Sequence, residues 1–173
     1  MAKIEISILK GANGLQFGSD AASVHKMFGN DFKNYEEKEL TTSDKDFLMK
    51  VAERMSEISG RPVTDYTKYI EEDNEFDHDP CDYYSFACID YDDNKKFSAI
   101  SIYSDQKTKL IVDGKDCSSF DLQTLLSLAD DFVEEENKTS YTSYTKQIGI
   151  WCPDADGRGE CILFGKPDYY QNN

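Results

Sequence analysis

Asp73, Glu75, Asp77 and Asp79 alternate at the spacing of the opening ligands in an oxygen-lined calcium loop. His78 stands where the sharp turn of such a loop needs glycine, and Tyr84 where it needs a bidentate glutamate. Asp154, Asp156, Gly157 and Glu160 repeat a fragment of the pattern, again with no acid at the closing position. No dedicated calcium site is expected. The five cysteines (Cys81, Cys88, Cys117, Cys152 and Cys161) contain no Cys-x-x-Cys pair, and the two histidines, His25 and His78, lie at no ligand spacing from any of them. Reduced thiols, no metal and no cofactor are the expectation.

Gly11, Gly14 and Gly18 have the wrong spacing for a dinucleotide or phosphate loop and read as turn residues. No nucleophile elbow or triad signature is present, and carboxylates are so numerous that a pair of them carries no catalytic information. The chemistry that the residue types do support is recognition. Ile70 to Asp93 holds ten carboxylates and no Lys or Arg, interleaved with Phe76, Tyr83, Tyr84, Phe86 and Tyr91. Asp116 to Glu136 adds seven carboxylates, again with no base. The rest of the chain has 17 acids and 19 bases, so the net charge of −15 comes from these two segments. Clustered charge of one sign steers a basic partner, and aromatic rings anchor it. A phosphate backbone would be repelled, which excludes nucleic acid.

The candidate partner-binding residues are therefore Glu71, Glu72, Asp73, Glu75, Phe76, Asp77, Asp79, Asp82, Tyr83, Tyr84, Tyr91, Asp92 and Asp93 in the first segment. Asp130, Asp131, Glu134 and Glu135 join them from the second. Trp151, next to Ile150 and near Ile148, is expected in the core.

These residues need elements to hold them. At 173 residues and 39% hydrophobic content, a single domain over residues 1–173 is expected. Lys3 to Leu9 alternates as an edge-type strand with Ile4, Ile6 and Ile8 buried. Ser19 or Asp20 caps a short helix carrying Ala21, Val24 and Phe28 inward and stopped by Gly29. Ser43 caps a second, with Phe47, Val51, Met55 and Ile58 as its stripe and Gly60 at its end. Tyr83 to Tyr91 and Lys96 to Tyr103 read as a hairpin turned by Asp92 to Lys95, followed by a strand at Lys109 to Val112. Ser118 or Ser119 caps a third and longer helix, with Leu122, Leu125, Leu126, Ala129, Phe132 and Val133 inward and its C-terminal end at Glu136. Its terminal carboxylates would oppose the helix dipole. Tyr144 to Cys152 and Glu160 to Phe164 form a closing hairpin. The expected class is α+β, an antiparallel sheet with about three helices packed mainly on one face.

The segment Gly14-Leu15-Gln16-Phe17-Gly18-Ser19-Asp20-Ala21-Ala22-Ser23-Val24 with Met27-Phe28-Gly29, the later Ile148-Gly149-Ile150 strand and the aromatic C-terminal end are similar to immunity proteins of contact-dependent growth inhibition and related polymorphic toxin systems. The resemblance implies a cytoplasmic antidote that binds one cognate toxin domain and blocks its active site, many such toxins being basic nucleases. Cytoplasmic residence, with no membrane contact, is also expected from the absence of a long apolar run after Met1. The expectation is thus a non-catalytic inhibitor of a basic protein. A DNA mimic acting on a DNA-processing enzyme, a small enzyme, and a calcium-responsive module are the alternatives, and oligomeric state stays open.

Overall fold

The computed structural model describes residues 2–35, 49–54, 56–57, 60–64, 80–104, 108–134, 139–152 and 157–171. Where the sequence leads us to expect one domain, contacts divide the chain into two compact units, one of residues 1–35 and 79–173 and the other of residues 36–78. Of the smaller unit, residues 49–54 and 56–57 are helical, and Gly60, at φ 69°, closes the turn by donating its N–H to the Ser56 carbonyl (2.8 Å). Val51, expected inward, is exposed there and Ala52 is buried instead. Phe47, Met55 and Ile58 lie outside the described residues.

The larger unit is built from two sheets. The first has the order β3-β2-β1-β8-β9, with β1 (Ala2–Ser7), β2 (Gly11–Ala12), β3 (Leu15–Gln16), β8 (Thr108–Val112) and β9 (Lys115–Asp116). The expected edge strand β1 is thus central, and it pairs parallel with β8, Ile4 facing Leu110 and Ile6 facing Val112. The pairing corrects both the edge assignment and a wholly antiparallel arrangement. Alternation fixes which side chains share a face, but it is silent on which distant strand covers the backbone.

The second sheet, antiparallel throughout, has the order β10-β11-β12-β13-β7-β6-β5-β4. Its strands are β4 (Lys33–Tyr35), β5 (Cys81–Tyr83), β6 (Ala87–Tyr91), β7 (Phe97–Tyr103), β10 (Val133–Glu134), β11 (Ser140–Ser143), β12 (Ile148–Trp151) and β13 (Cys161–Gly165). The β6–β7 and β12–β13 pairings expected from the sequence form, the first turned at Asp92 to Lys95, but the expected strand Tyr83 to Tyr91 breaks after Tyr83 into β5 and β6, and the expected strand Tyr144 to Cys152 begins only at Ile148. The Asp92 carboxylate accepts the N–H groups of Asn94 and Lys96, each at 3.1 Å, which shapes the Asp92 to Lys95 turn. On one face Ile89, Ile100, Phe164 and Ile148 stand in register across four strands. They join Ile4, Ile6, Leu110 and Val112 of the first sheet in one hydrophobic core.

Helix α1 (Ala21–Phe28) is capped by Asp20, whose carboxylate accepts the Ser23 N–H at 2.8 Å, and ends at Gly29 with φ 93°. It buries Val24 as the apolar spacing requires. The third expected helix is cut short: α2 covers only Leu122–Leu126, and Val133–Glu134 is an edge strand paired with Thr142 and Tyr141. Ser127 ends the helix by donating its hydroxyl to the Thr124 carbonyl at 2.5 Å. Beyond it Leu128 and Phe132 still pack on the core, because apolar residues at these spacings serve an extended segment equally well. The dipole conflict expected at Glu134 disappears with the helix end.

Asp131 works within this edge. Its carboxylate accepts the Ser143 hydroxyl (2.5 Å) and the Thr145 N–H (3.0 Å), fixing the β11–β12 turn. The Ser143 hydrogen bond foremost, with the Thr145 N–H, holds its carboxyl below the usual range. A depressed folded value means that this stabilisation is complete above the unfolded value of about 3.9 and is lost as pH falls through the lower folded value. Asp131→Asn should therefore shrink the stability difference between neutral pH and about pH 3. Urea midpoints at the two pH values check this, and an unchanged difference would refute the assignment.

Candidate binding surface

The described acidic residues divide into those the fold consumes and those it leaves outside. Asp82, on β5, is 1% exposed, and its Oδ2 lies 2.7 Å from His25 Nε2 and accepts the Tyr91 hydroxyl at 2.5 Å. Tyr84 and Tyr91 are buried as well, Tyr84 donating its hydroxyl to the Gly29 carbonyl at 2.9 Å. Burial, and then the adjacent Asp82, raises both phenols, Tyr84 to about 12. These three residues are therefore corrections: the register Asp82↔Ile89 sends Asp82 to the core side, where α1 packs. Asp92 is half-buried and ion-paired with Lys166 at 2.6 Å. Burial opposes its charge, but Lys166 and the turn N–H groups outweigh it and hold the carboxyl below its ordinary value.

Tyr83 and Asp93 remain exposed from the first segment, and Asp130 and Glu134 from the second. Glu71, Glu72, Asp73, Glu75, Phe76, Asp77, Asp79 and Glu135 lie outside the described residues. The exposed remnants do not share an edge. β10 and β5 are separated by five strands, roughly 25–30 Å along the sheet. In the second segment Asp116 and Asp121 also have local work, Asp116 bonding the Ser118 hydroxyl and N–H and Asp121 capping α2 through the Thr124 N–H at 2.8 Å.

The sequence reading missed the outer face of the second sheet. The register brings Cys88, Ser101, Leu163, Gly149 and Thr142 into one row, and Tyr103, Cys161, Trp151 and Ser140 into the next. Trp151, expected in the core, is 51% exposed, and Tyr83 beside Cys88 is 41% exposed. The signal was available: Ile148 and Ile150 share parity, so the following Trp151 must point to the opposite face. A shallow groove of about 260 Å³ runs here between Ser101, Thr142, Trp151, Leu163 and Tyr170. It is closed at one end by the 3₁₀ turn Tyr169–Gln171, whose rings lie directly over Gly149 and Gly165. A side chain at either glycine would collide with a tyrosine.

Toward β5 the same face gathers Cys81, Cys88 and Asp90, whose ligand atoms all lie within 4.8 Å of one another. Cys81 stands opposite Asp90 and Cys88 opposite Tyr83. Burial first, then Asp90, raises the Cys88 thiol, and burial raises Cys81 and brings Cys161 to about 11, so as isolated groups these cysteines are thiols rather than thiolates. No helix among the described residues is long and apolar enough to cross a membrane. The sequence matches no protein-family model, and no curated protein or solved structure matches it.

Proposed function

We propose that this is a non-catalytic immunity or inhibitor protein that neutralises a basic partner, in the first place a toxin domain, by binding it. The observation that carries the reading is a sheet face presenting Trp151 and Tyr83, each more than two-fifths exposed, in a chain of net charge −15. Half-exposed Trp and Tyr on a rigid strand supply anchoring area at little entropic cost. Carboxylates such as Asp93, with those of residues 71–79, supply steering. Asp82, Tyr84 and Tyr91 take no part, being internal.

The test is capture of the partner from the native cell by the full chain, followed by affinity measurement with the purified partner. A basic protein is expected, with Trp151→Ala and Tyr83→Ala each weakening binding by about tenfold or more. Added salt should weaken the complex mainly by slowing association. Capture of an acidic protein, or a complex indifferent to both substitutions, would overturn the reading. No observation favours a DNA mimic, since Asp82, Asp92 and Asp131 are already engaged within the chain.

A further inference from the structure

We propose that Cys81, Cys88 and Asp90 form a binding site for a zinc-class divalent cation on the outer face of the β5–β6 hairpin. The three donors come from adjacent strands, Cys81 on β5 and Cys88 and Asp90 on β6, and all of their ligand atoms fall within 4.8 Å. The period-2 alternation of β6 puts residues 88 and 90 on one face, and the Cys81↔Asp90 register puts Cys81 on that face too. Neither sulfur is on a loop that would have to be ordered first: Cys81 is 8% exposed and Cys88 5%. The Cys88 thiol already points at the Asp90 carboxylate, with Sγ 3.5 Å from Oδ1.

Tetrahedral sites hold sulfur at about 2.3 Å and carboxylate oxygen at about 2.0–2.2 Å from the metal, so the donors need shift by only about an ångström to converge. Two thiolates and one carboxylate select zinc-like ions over magnesium and calcium, which prefer all-oxygen shells. Binding releases the two thiol protons to solvent as the sulfurs become ligands, leaving the metal with three protein donors and one open position. The Tyr169 hydroxyl, 3.4 Å from Asp90 Oδ2, lies where an orienting group would hold the carboxylate. Cys161 is not a member, since β7 intervenes between its strand and β6. Along the sequence these ligands are six intervening residues and one intervening residue apart, a spacing that only strand pairing converts into a site.

The experiment titrates the full chain, reduced and stripped of metal by a chelator, with Cd²⁺, following thiolate-to-cadmium charge-transfer absorption. One equivalent is expected to bind with a full band. Cys81→Ser and Cys88→Ser should lose most of the band and bind about tenfold or more weakly, while Cys117→Ser and Cys152→Ser keep it. Asp90→Asn, at a half-buried position, should keep the band but weaken binding by about tenfold, which decides the matter even if a buried cysteine variant fails to fold. Absence of the band in the unmodified chain, or unchanged affinity in Asp90→Asn, would overturn the site.

Discussion

Asp82→Ala is expected to destabilise the protein by about 1–3 kcal/mol, the cost of leaving a buried hydrogen-bonding group without its partner. The residue holds three elements together. Its Oδ2 meets His25 of α1 and the Tyr91 hydroxyl of β6 while its backbone belongs to β5. Removing it leaves the buried Tyr91 hydroxyl without this acceptor and takes away the contact that His25 makes from the middle of α1. The rings around it do not compensate, because His25 stacks on Phe32 with centroids 4.4 Å apart and that stack is positioned by the same contact. Asp82→Asn keeps an acceptor oxygen for Tyr91 and should lose markedly less. Equilibrium urea unfolding reads both. A loss below about 1 kcal/mol for Asp82→Ala would show that the carboxylate is dispensable to the fold. Partner affinity per folded molecule should not change, which separates this internal role from the surface role that the acidic sequence first implied.

Phe97→Ala is expected to cost about 3–5 kcal/mol, by cavity formation at the junction of the two sheets. Phe97 is fully buried at the start of β7 and packs on Phe17 with ring centroids 4.8 Å apart. Its backbone is also tied to the loop after β3, its N–H donating to the Ser19 carbonyl and its carbonyl accepting from Gly18 N–H, each at 2.8 Å. Those backbone bonds hold the surrounding chain in place and so limit collapse into the space that the ring vacates. A large stability loss follows from that rigidity. Val133→Ala, at an exposed position on the sheet edge, should by contrast stay within about 0.5 kcal/mol. Equal losses for the two variants would contradict this placement of the core.

The α+β class was readable because alternation in Ile4, Ile6 and Ile8, and in the two hairpins, is a property of the local chain. So was α1, since Asp20 and Gly29 act within one turn of the helix they bound. The acidic tract misled where it entered the sheet. Charge and aromaticity identify Asp82, Tyr84 and Tyr91 as residues able to bind something, and they do bind, to His25, Gly29 and each other. Residue type cannot say whether the partner is another molecule or the protein's own helix. Trp151 shows the reverse case, a large apolar side chain whose parity places it outside although its composition suggested the interior.

The longer strands β1, β6, β7, β8, β12 and β13, the caps of α1, the turn at Asp92 to Lys95 and the concentration of negative charge are legible in the sequence because they depend on neighbours a few residues away, whereas the short strands β2 to β5 and β9 to β11 are not. The parallel pairing of β1 with β8, the inward turn of Asp82, the placing of Tyr83 and Glu134 on strands five apart and the meeting of Cys81, Cys88 and Asp90 come from the packing of distant elements. Each depends on which strand or helix packs against a given face and in what register, and one step of register exchanges the buried face of a strand for the exposed one.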